Sequence, residues 1–188
     1  NHGFITYPLF CLAVTSKISK PNIDVLISAG VHGEEPAGVY TLMRFLENSI
    51  YDGNGIHTFL RDYRFLVFPC INPFGFEHGY RFNPDGVDIN RQFKPDTDCH
   101  EAAKVMRFLS RFARKFVCTI DLHETDPNWA DEGFSQADNP HAFYMWESCA
   151  DKSIRVGDRV TDVVRRMAPV CDWARIYGDA SSYPGVIW

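Results

Sequence analysis

Two histidines and a glutamate in this chain have the types and spacing of metal ligands. His32 and Glu35 are three residues apart in "VHGEEPAG" (31–38), where an apolar run gives way to a helical pattern. Side chains at i and i+3 of a helix start project to one side, so an imidazole nitrogen and a carboxylate oxygen can converge on one cation. Taken alone, the pair fits a solvated turn, in which the helix dipole favours Glu34 and Glu35, better than it fits a metal site.

His123 supplies a third ligand of the same kind. "TIDLHET" (119–125) runs from apolar residues into a histidine at the expected carboxyl end of a strand. Two histidines and one glutamate leave a fourth coordination position open, which is the pattern of catalytic zinc; structural zinc sites are closed. A single histidine at a strand end is by default an ordinary core or rim residue. The remaining histidines are expected on the surface or in loops: His2, His57, His78, His100 and His141.

The segment "GYRFNPDGVDINRQF" (79–93) carries groups that suit an anionic substrate. Asn90 and Arg91 can bind a substrate carboxylate, the arginine through a bidentate fork. Arg81 can stabilise an oxyanion that develops beside a metal, and Asp88 can accept the second N–H of a metal-bound histidine. The same segment equally fits a turn-rich surface loop around its Pro-Asp-Gly sequence.

Alternating strands and helices must position these groups. Apolar runs predict strands over 7–15, 22–30, 63–72 and 117–125, the first two paired with each other, and helical spacing predicts helices over 36–50, 99–116 and 151–170. The segments 72–93 and 126–141 are predicted loops. This alternation indicates an α/β fold with a largely parallel sheet, in which ligands bind beyond the carboxyl ends of the strands. Cys70 and Cys118, inside strand-like runs, are expected in the core.

Composition limits the class of protein. The 188 residues are 45% hydrophobic and 14% aromatic, which predicts one globular domain over 1–188. A net charge of −5 argues against nucleic-acid binding, and no apolar run approaches the roughly 20 residues of a membrane helix. The six cysteines form no C-x-x-C pair, which favours reduced thiols. With no visible signal peptide, these thiols predict a cytoplasmic location.

Taken together, the motifs resemble the M14 zinc carboxypeptidase family. The matching parts are H-x-x-E as "HGEE", the G-x-D-x-N-R block within "NPDGVDINRQF", and the distal histidine in "DLHE", over residues 7 to about 125. The short gap from Arg81 to Asn90 is similar to the compact bacterial branches, including murein-peptide amidases. The same core is shared by the aspartoacylase and succinylglutamate desuccinylase deacylases.

The resemblance implies a fold, a cofactor and a set of roles. The implied fold is one catalytic domain with a mixed, mainly parallel, eight-stranded sheet flanked by helices, and the implied cofactor is Zn2+. The implied roles are zinc ligation by His32, Glu35 and His123, carbonyl polarisation by Arg81, carboxylate binding by Asn90 and Arg91, and orientation of His32 by Asp88.

The family's general base has no counterpart at a comparable position in this sequence. In the family it is a glutamate on a strand well after the distal histidine, where it activates the zinc-bound water. The glutamates after His123 are Glu124, Glu132 and Glu147; none is at a comparable position, and Glu124 is the alternative candidate. We therefore expect the base beyond Trp188. Tyr177 and Tyr183 both lie in the region of the family's mobile tyrosine.

Three hypotheses for function follow. The first is a zinc metallocarboxypeptidase that hydrolyses a peptide or amide bond next to a terminal carboxylate. The second is a zinc amidohydrolase that deacylates small N-acyl amino acids. The third is a module that binds zinc without catalysis. The expected partner is accordingly a peptide or a small acylated amino acid, and neither nucleic acid nor membrane is expected.

Overall fold

The structure is a computed structural model, and it divides the chain into two compact units, Asn1–Glu124 and Thr125–Trp188. It describes residues 6–51, 56–111, 116–125, 140–149, 151 and 153–187. None of the helices in this described part is long and apolar enough to cross a membrane. That the whole of 1–188 forms one domain stays a prediction.

The first unit contains a four-stranded sheet. Its strands are β1 (Leu12–Val14), β2 (Ile23–Ala29), β3 (Tyr63–Phe68) and β4 (Phe116–Leu122), in the order β1-β3-β2-β4. β2 is parallel to both β3 and β4, and β1 is antiparallel to β3. The prediction that the first two strands pair is therefore wrong. A central position between two parallel neighbours suits the almost continuous apolar run of β2, because such strands are covered on both faces.

Two helices cover the two faces of this sheet. On one face, α1 (Pro36–Tyr51) packs Val39, Leu42 and Leu46 against side chains of β2 and β3. On the other face, Ala102 and Val105 of α4 (His100–Leu109) belong to a second buried cluster with Phe68, Ile71 and Ile89. The apolar residues of α1 and α4 recur at helical spacing, which is why the sequence predicted both helices. The second was predicted over 99–116, but α4 ends at Leu109 and Phe116 already begins β4.

The segment 72–93, predicted as a loop, also contains helical turns. These are α3 (Pro73–His78) and a 3-10 helix, Ile89–Arg91; a short helix α2 (Ile56–Leu60) precedes β3. Asn72 caps α3, because its Oδ1 accepts a hydrogen bond from Gly75 N at 2.9 Å. Asparagine before proline is a helix-start signal, since Asn suits the cap and Pro the first turn. The Pro-Asp-Gly turn is present, with Gly86 N donating to Asn83 O at 2.9 Å.

The expected core position of Cys118 is wrong. Its strand β4 stands at the end of the strand order and is exposed along most of its length, and Cys118 is exposed with it. Cys70 is half-buried and packs against the α1 side of the core. The difference follows from strand order, because an edge strand has a neighbour on only one side.

The second unit has a separate small sheet. Its strands are β5 (Met145–Trp146), β6 (Arg175–Ile176), β7 (Asp179–Tyr183) and β8 (Val186–Ile187), in the order β5-β8-β7-β6. Mixed α/β structure is confirmed, but the strands of the described residues form two four-stranded sheets and not one of eight. Within the second sheet, β6 and β7 are near neighbours in the chain and pair through the two-residue turn Tyr177-Gly178, in which both φ angles are positive, as hairpin turns prefer.

The remaining predictions for this unit concern a loop and a helix. Of the predicted loop 126–141, residues 126–139 lie outside the described residues. The helix predicted over 151–170 is limited to α5 (Gly157–Val164). Its first turn is capped by Glu147, whose carboxylate accepts hydrogen bonds from Val156 N at 2.8 Å and Gly157 N at 3.0 Å.

Candidate metal centre

The turn between β2 and α1 is held by backbone contacts with the segment that follows β3. Ile71 N donates to Ala29 O at 3.0 Å, and Asn72 N donates to Gly30 O at 2.7 Å. These bonds extend the β2–β3 pairing past the ends of both strands. The carboxyl ends of two parallel strands are thereby joined where His32 begins its turn, as expected for a ligand site in an α/β sheet.

Gly33 brings this turn into direct contact with α3. A Cβ atom placed on Gly33 would lie 2.0 Å from the backbone carbon of Gly75 and 2.4 Å from its Cα and its oxygen. Only glycine allows two backbones to approach so closely. The residues on either side of Gly33 are consequently fixed by backbone packing and not only by their side chains.

Glu35 lies between the two histidines. Its Oε1 is 2.7 Å from His32 Nδ1, and its Oε2 is 2.8 Å from His123 Nδ1. Glu124 N also donates to Oε2 at 3.0 Å. The two imidazole rings have centroids 5.1 Å apart at an interplanar angle of 62°. The structure thus brings together the three residues that the sequence selected as candidate ligands.

Each histidine has an aspartate at its other nitrogen. His32 Nε2 lies 3.3 Å from Asp88 Oδ1, and His123 Nε2 lies 3.0 Å from Asp121 Oδ2. Both rings therefore turn Nδ1 towards the shared glutamate and Nε2 towards an acid. A metal-binding histidine needs this division, with one nitrogen for the cation and the other N–H donated to a carboxylate or carbonyl.

The pKa values of Glu35 and His123 reflect this arrangement. Burial raises the pKa of Glu35, but hydrogen bonds from His123 and His32 outweigh it and lower the pKa to about 2. Burial lowers the pKa of His123, whereas hydrogen bonds to Asp121 and Glu35 raise it to about 10. At neutral pH the Glu35 carboxylate is therefore ionised and the His123 imidazole protonated, so a bound metal cation would take the place of that proton.

The donor set fits a divalent metal ion. One ligand atom each from His32, Glu35 and His123 lies within 4.8 Å of the other two. Two imidazole nitrogens and one carboxylate oxygen form the three-ligand set typical of catalytic zinc. Among the other histidines, His78, His100 and His141 are exposed, while His2 and the side chain of His57 lie outside the described residues.

Arg81 lies beside this cluster, where an oxyanion-stabilising group would be needed. Its Nη1 is 3.3 Å from Glu34 Oε1 and 3.9 Å from Glu35 Oε1, and its Nη2 is 3.4 Å from Asp88 Oδ2. Its backbone oxygen accepts a hydrogen bond from Asn72 Nδ2 at 3.1 Å. Both the backbone and the guanidinium group of Arg81 are therefore held in place.

Asn90 and Arg91 follow the aspartate that contacts His32. Asp88 caps the 3-10 helix Ile89–Arg91 by accepting a hydrogen bond from Asn90 N at 2.9 Å. The same Oδ1 atom approaches His32 Nε2. Asn90 is half-buried and Arg91 is exposed. Asn90 and Arg91 thus come two and three residues after Asp88, the contact of His32, and Arg91 is open to solvent.

Glu34 and Glu124, the acids next to the ligands Glu35 and His123 in the chain, have partners that the sequence did not predict. Glu34, expected as the helix-start carboxylate, precedes α1 and turns towards Arg81. Burial raises its pKa, although the neighbouring guanidinium of Arg81 opposes that rise. Glu124 stabilises the start of α1 instead, because its Oε2 accepts a hydrogen bond from Ala37 N at 3.0 Å.

The other candidates for catalysis have local partners or lie outside the described residues. Glu147 caps α5, and Glu132 is not described. Tyr183 donates a hydrogen bond from its hydroxyl to Asp162 at 2.6 Å. Tyr177 lies in the β6–β7 turn and stacks on Trp146, with ring centroids 6.2 Å apart.

Sequence reasoning missed three residues of the cluster. Asp121 was overlooked although it is two residues before His123, so both side chains lie on one face of the strand. Ser28 donates a hydrogen bond from its hydroxyl to Asp121 Oδ1 at 2.7 Å; the two residues are cross-strand neighbours in the β2–β4 pairing. The contact of Glu34 with Arg81 was not predicted. Only the spacing of Asp121 and His123 could have been recognised in the sequence.

Comparisons with known proteins identify a family and relatives of this chain. Residues 21–150 match the family described as Succinylglutamate desuccinylase/Aspartoacylase catalytic domain. The chain is 38% identical to Murein peptide amidase A of Escherichia coli (strain K12) over 88 residues, which are 45% of this chain and 31% of that protein. The match therefore spans about a third of the length of this curated relative.

Solved structures resemble the chain over a larger part of its length. A protein from Shewanella amazonensis SB2B described as a metallopeptidase superposes with a TM-score of 0.64 at 26% identity, covering 96% of this chain and 64% of its own. A metallo-carboxypeptidase from Burkholderia cenocepacia has a TM-score of 0.54 at 21% identity, covering 62% of this chain and 33% of its own, and shares the fold.

The family match includes every part of the candidate metal centre. Its span, residues 21–150, contains both histidines, the shared glutamate, Arg81 and the Asp88–Arg91 block. It also covers more than half of the chain. This chain belongs to the succinylglutamate desuccinylase/aspartoacylase family of catalytic domains.

Proposed function

We propose that this chain carries the metal centre of a zinc-dependent hydrolase, which cleaves an amide bond in a substrate that bears a carboxylate. One observation carries the proposal: Glu35 contacts Nδ1 of both histidines, at 2.7 and 2.8 Å, while each Nε2 is held by an aspartate. Three ligands with a supported orientation match a catalytic zinc site better than a closed structural one.

The residues of the chain have separate tasks in this proposal. His32, Glu35 and His123 hold the ion, which supplies Lewis acidity, and Asp88 and Asp121 fix the orientation of the imidazole rings. Arg81 directs its guanidinium towards the oxygen that gains negative charge as the amide carbon becomes tetrahedral. Asn90 and Arg91 bind the substrate carboxylate, which places the amide bond at a constant distance from the ion.

We propose a peptide or peptide-like amide next to a terminal carboxylate as the first substrate class. The name of the E. coli relative, a murein peptide amidase, supports this choice, as does the carboxypeptidase-like fold. Deacylation of small N-acyl amino acids is the second candidate. It is favoured by the family match over residues 21–150, which names two enzymes of that kind. Both classes use the same arrangement of a carboxylate beside a scissile amide.

Metal analysis of the purified protein tests the metal centre. We expect about one zinc ion per chain after dialysis against zinc-containing buffer, and loss of zinc in the double variant His32→Ala/His123→Ala. A matched control is His100→Ala/His141→Ala, which removes two exposed histidines. Absence of zinc from the wild type, or retention of zinc in the first double variant, would contradict the proposal.

Substrate turnover separates the candidate reactions. The zinc-loaded protein is incubated with short peptides that have a free C-terminal carboxylate, and separately with N-acetyl-aspartate and N-succinyl-glutamate. Faster hydrolysis of the peptides supports the peptidase or amidase, and faster hydrolysis of the acyl amino acids supports the deacylase. Stoichiometric zinc without turnover of either class, together with the lack of an acid at the general-base position of the natural protein, would favour a zinc-binding module.

A further inference from the structure

Glu34 is a buried acid with an unexplained second oxygen. Its side chain is only 5% exposed, and its Oε1 lies 3.3 Å from Arg81 Nη1. Its Oε2 is buried and has no hydrogen-bond partner among the described residues. A buried carboxylate oxygen without a partner is costly, and native proteins rarely keep one without a function. Glu34 lies next to the candidate metal centre, because it directly precedes the candidate ligand Glu35.

The backbones that carry Glu34 and Arg81 are fixed independently of this ion pair. Gly33, directly before Glu34, is in backbone contact with Gly75. Asn72 Nδ2 holds the backbone oxygen of Arg81, and Tyr80 N donates to Gly75 O at 2.8 Å. The contact between the two side chains is consequently set by the fold, and neither side chain can leave by a small shift of its backbone.

Glu34 differs from the other two acids near Arg81. Glu35 accepts hydrogen bonds at both oxygens from the histidine pair, and Asp88 is shared between His32 and Asn90 N. Within the described residues, no hydrogen bond joins Glu34 to either histidine. Of these three acids, Glu34 is therefore the one whose contact with Arg81 does not compete with the metal ligands and their support.

We propose that Glu34 is a positioning residue for Arg81. It holds Nη1 of the guanidinium at the edge of the metal centre, so that Arg81 faces the oxygen that becomes negative during amide hydrolysis. The inference rests on the proposed function. It assigns to the third residue of "HGEE" a role that is separate from the metal ligation proposed for the first and the fourth.

A phosphinic pseudodipeptide of glycine and alanine, with a free carboxylate, tests this role. Its tetrahedral anion requires a correctly placed oxyanion-stabilising group, whereas N-acetyl-L-alanine offers the carboxylate without that anion. Dissociation constants of both probes are measured by calorimetry for the zinc-loaded wild type, Glu34→Gln, Arg81→Ala and the double variant. Zinc content and far-ultraviolet circular dichroism are recorded for each.

We expect Glu34→Gln to weaken phosphinate binding roughly tenfold and Arg81→Ala roughly a hundredfold. The double variant should bind as Arg81→Ala does, within about twofold, because two residues that act through one group are not additive. Binding of N-acetyl-L-alanine by Glu34→Gln should change less than about twofold. A merely structural role of Glu34 would weaken both probes together.

Two further variants complete the experiment. Glu34→Asp keeps the charge at shorter reach and should lose less affinity than Glu34→Gln, which also covers the case in which the glutamine variant does not fold. Glu47→Gln makes the same change at an exposed acid of α1 that pairs with Arg44, and should bind like the wild type. Unchanged phosphinate binding in Glu34→Gln, or additive losses in the double variant, would overturn the inference. If the zinc-loaded wild type binds neither probe, the proposed function itself is contradicted.

Discussion

The two histidines of the metal centre have the same pattern of partners but different surroundings. We call His32 with Asp88 the inner arm and His123 with Asp121 the outer arm. The side chains of the inner arm are 4% and 18% exposed, and those of the outer arm are 33% and 40% exposed. His32 of the inner arm lies in the turn after the central strand β2, next to Gly33. Asp121 of the outer arm lies in β4, at the end of the strand order, and His123 directly follows that strand.

This difference indicates how the two arms are held. The inner arm depends on backbone packing and on groups withdrawn from water, so removal of one group leaves others unsatisfied. The outer arm is open to solvent, and water can replace a lost partner at modest cost. We therefore expect changes in the inner arm to have the larger effects, although both arms meet at the same glutamate.

The largest expected effect comes from Gly33→Ala, which disrupts the backbone of the inner arm. The new Cβ would lie 2.0 Å from the Gly75 backbone, so we expect a loss of about 3 kcal/mol or more in the free energy of unfolding. Gly79→Ala is the control: its φ is +60° but no atom lies within 4 Å, so about 1 kcal/mol is expected. Urea unfolding followed by circular dichroism measures both. Equal losses in the two variants would mean that backbone packing does not hold the inner arm.

The aspartates give a direct comparison of the arms. We expect Asp88→Asn to weaken zinc binding about a hundredfold and Asp121→Asn about tenfold, because outer partners of metal-bound histidines typically contribute within this range. Competition with a chromophoric chelator measures both affinities. Asp62→Asn, at an exposed residue that pairs with Arg61, is the control and should not change zinc affinity. A larger loss for Asp121→Asn than for Asp88→Asn would reverse the assignment of the arms.

The reaction rates of Cys70 and Cys118 compare the openness of the two arms in the unsubstituted protein. Burial raises the pKa of Cys70, next to the inner turn, to about 11, whereas Cys118 on β4 is exposed. At pH 8 we expect Cys118 to react with iodoacetamide at least about tenfold faster than Cys70, since the thiolate is the reactive form. Labelling of Cys70 should accelerate as the pH rises towards 11. Peptide mass spectrometry measures both rates, and equal rates at pH 8 would show that the two arms are equally open.

The smallest expected effect is on the outermost contact. Ser28→Ala removes the hydroxyl that donates to Asp121 Oδ1 at 2.7 Å. We expect zinc affinity to fall about fivefold, the equivalent of one hydrogen bond of about 1 kcal/mol. Ser110→Ala, which removes a hydroxyl bonded to Arg107 O in α4, is the control. If Ser28→Ala has the same zinc affinity as that control, Ser28 does not support the outer arm.

Much of the site was accessible to sequence reasoning because its signals are local. The spacing of His32 and Glu35, the histidine after an apolar run, and the Asp88–Arg91 block all depend on neighbours in the chain. α3 and the helical turn around Asn90 were missed, since their cap signals lay in a segment rich in turn residues. The role of the three candidate ligands in binding a metal stays a prediction, and so do the roles of Asn90 and Arg91.

By itself, the sequence determined which residues have metal-binding chemistry and that alternating strands and helices would present them at strand ends. Only the tertiary structure decided which nitrogen of each histidine faces Glu35, that Ser28 supports Asp121, and that Glu34 turns to Arg81. It also placed β1 beside β3 and separated the strands into two sheets. The physical reason is that spacing determines the geometry of near neighbours, whereas partners far apart in the chain depend on strand order, register and backbone packing.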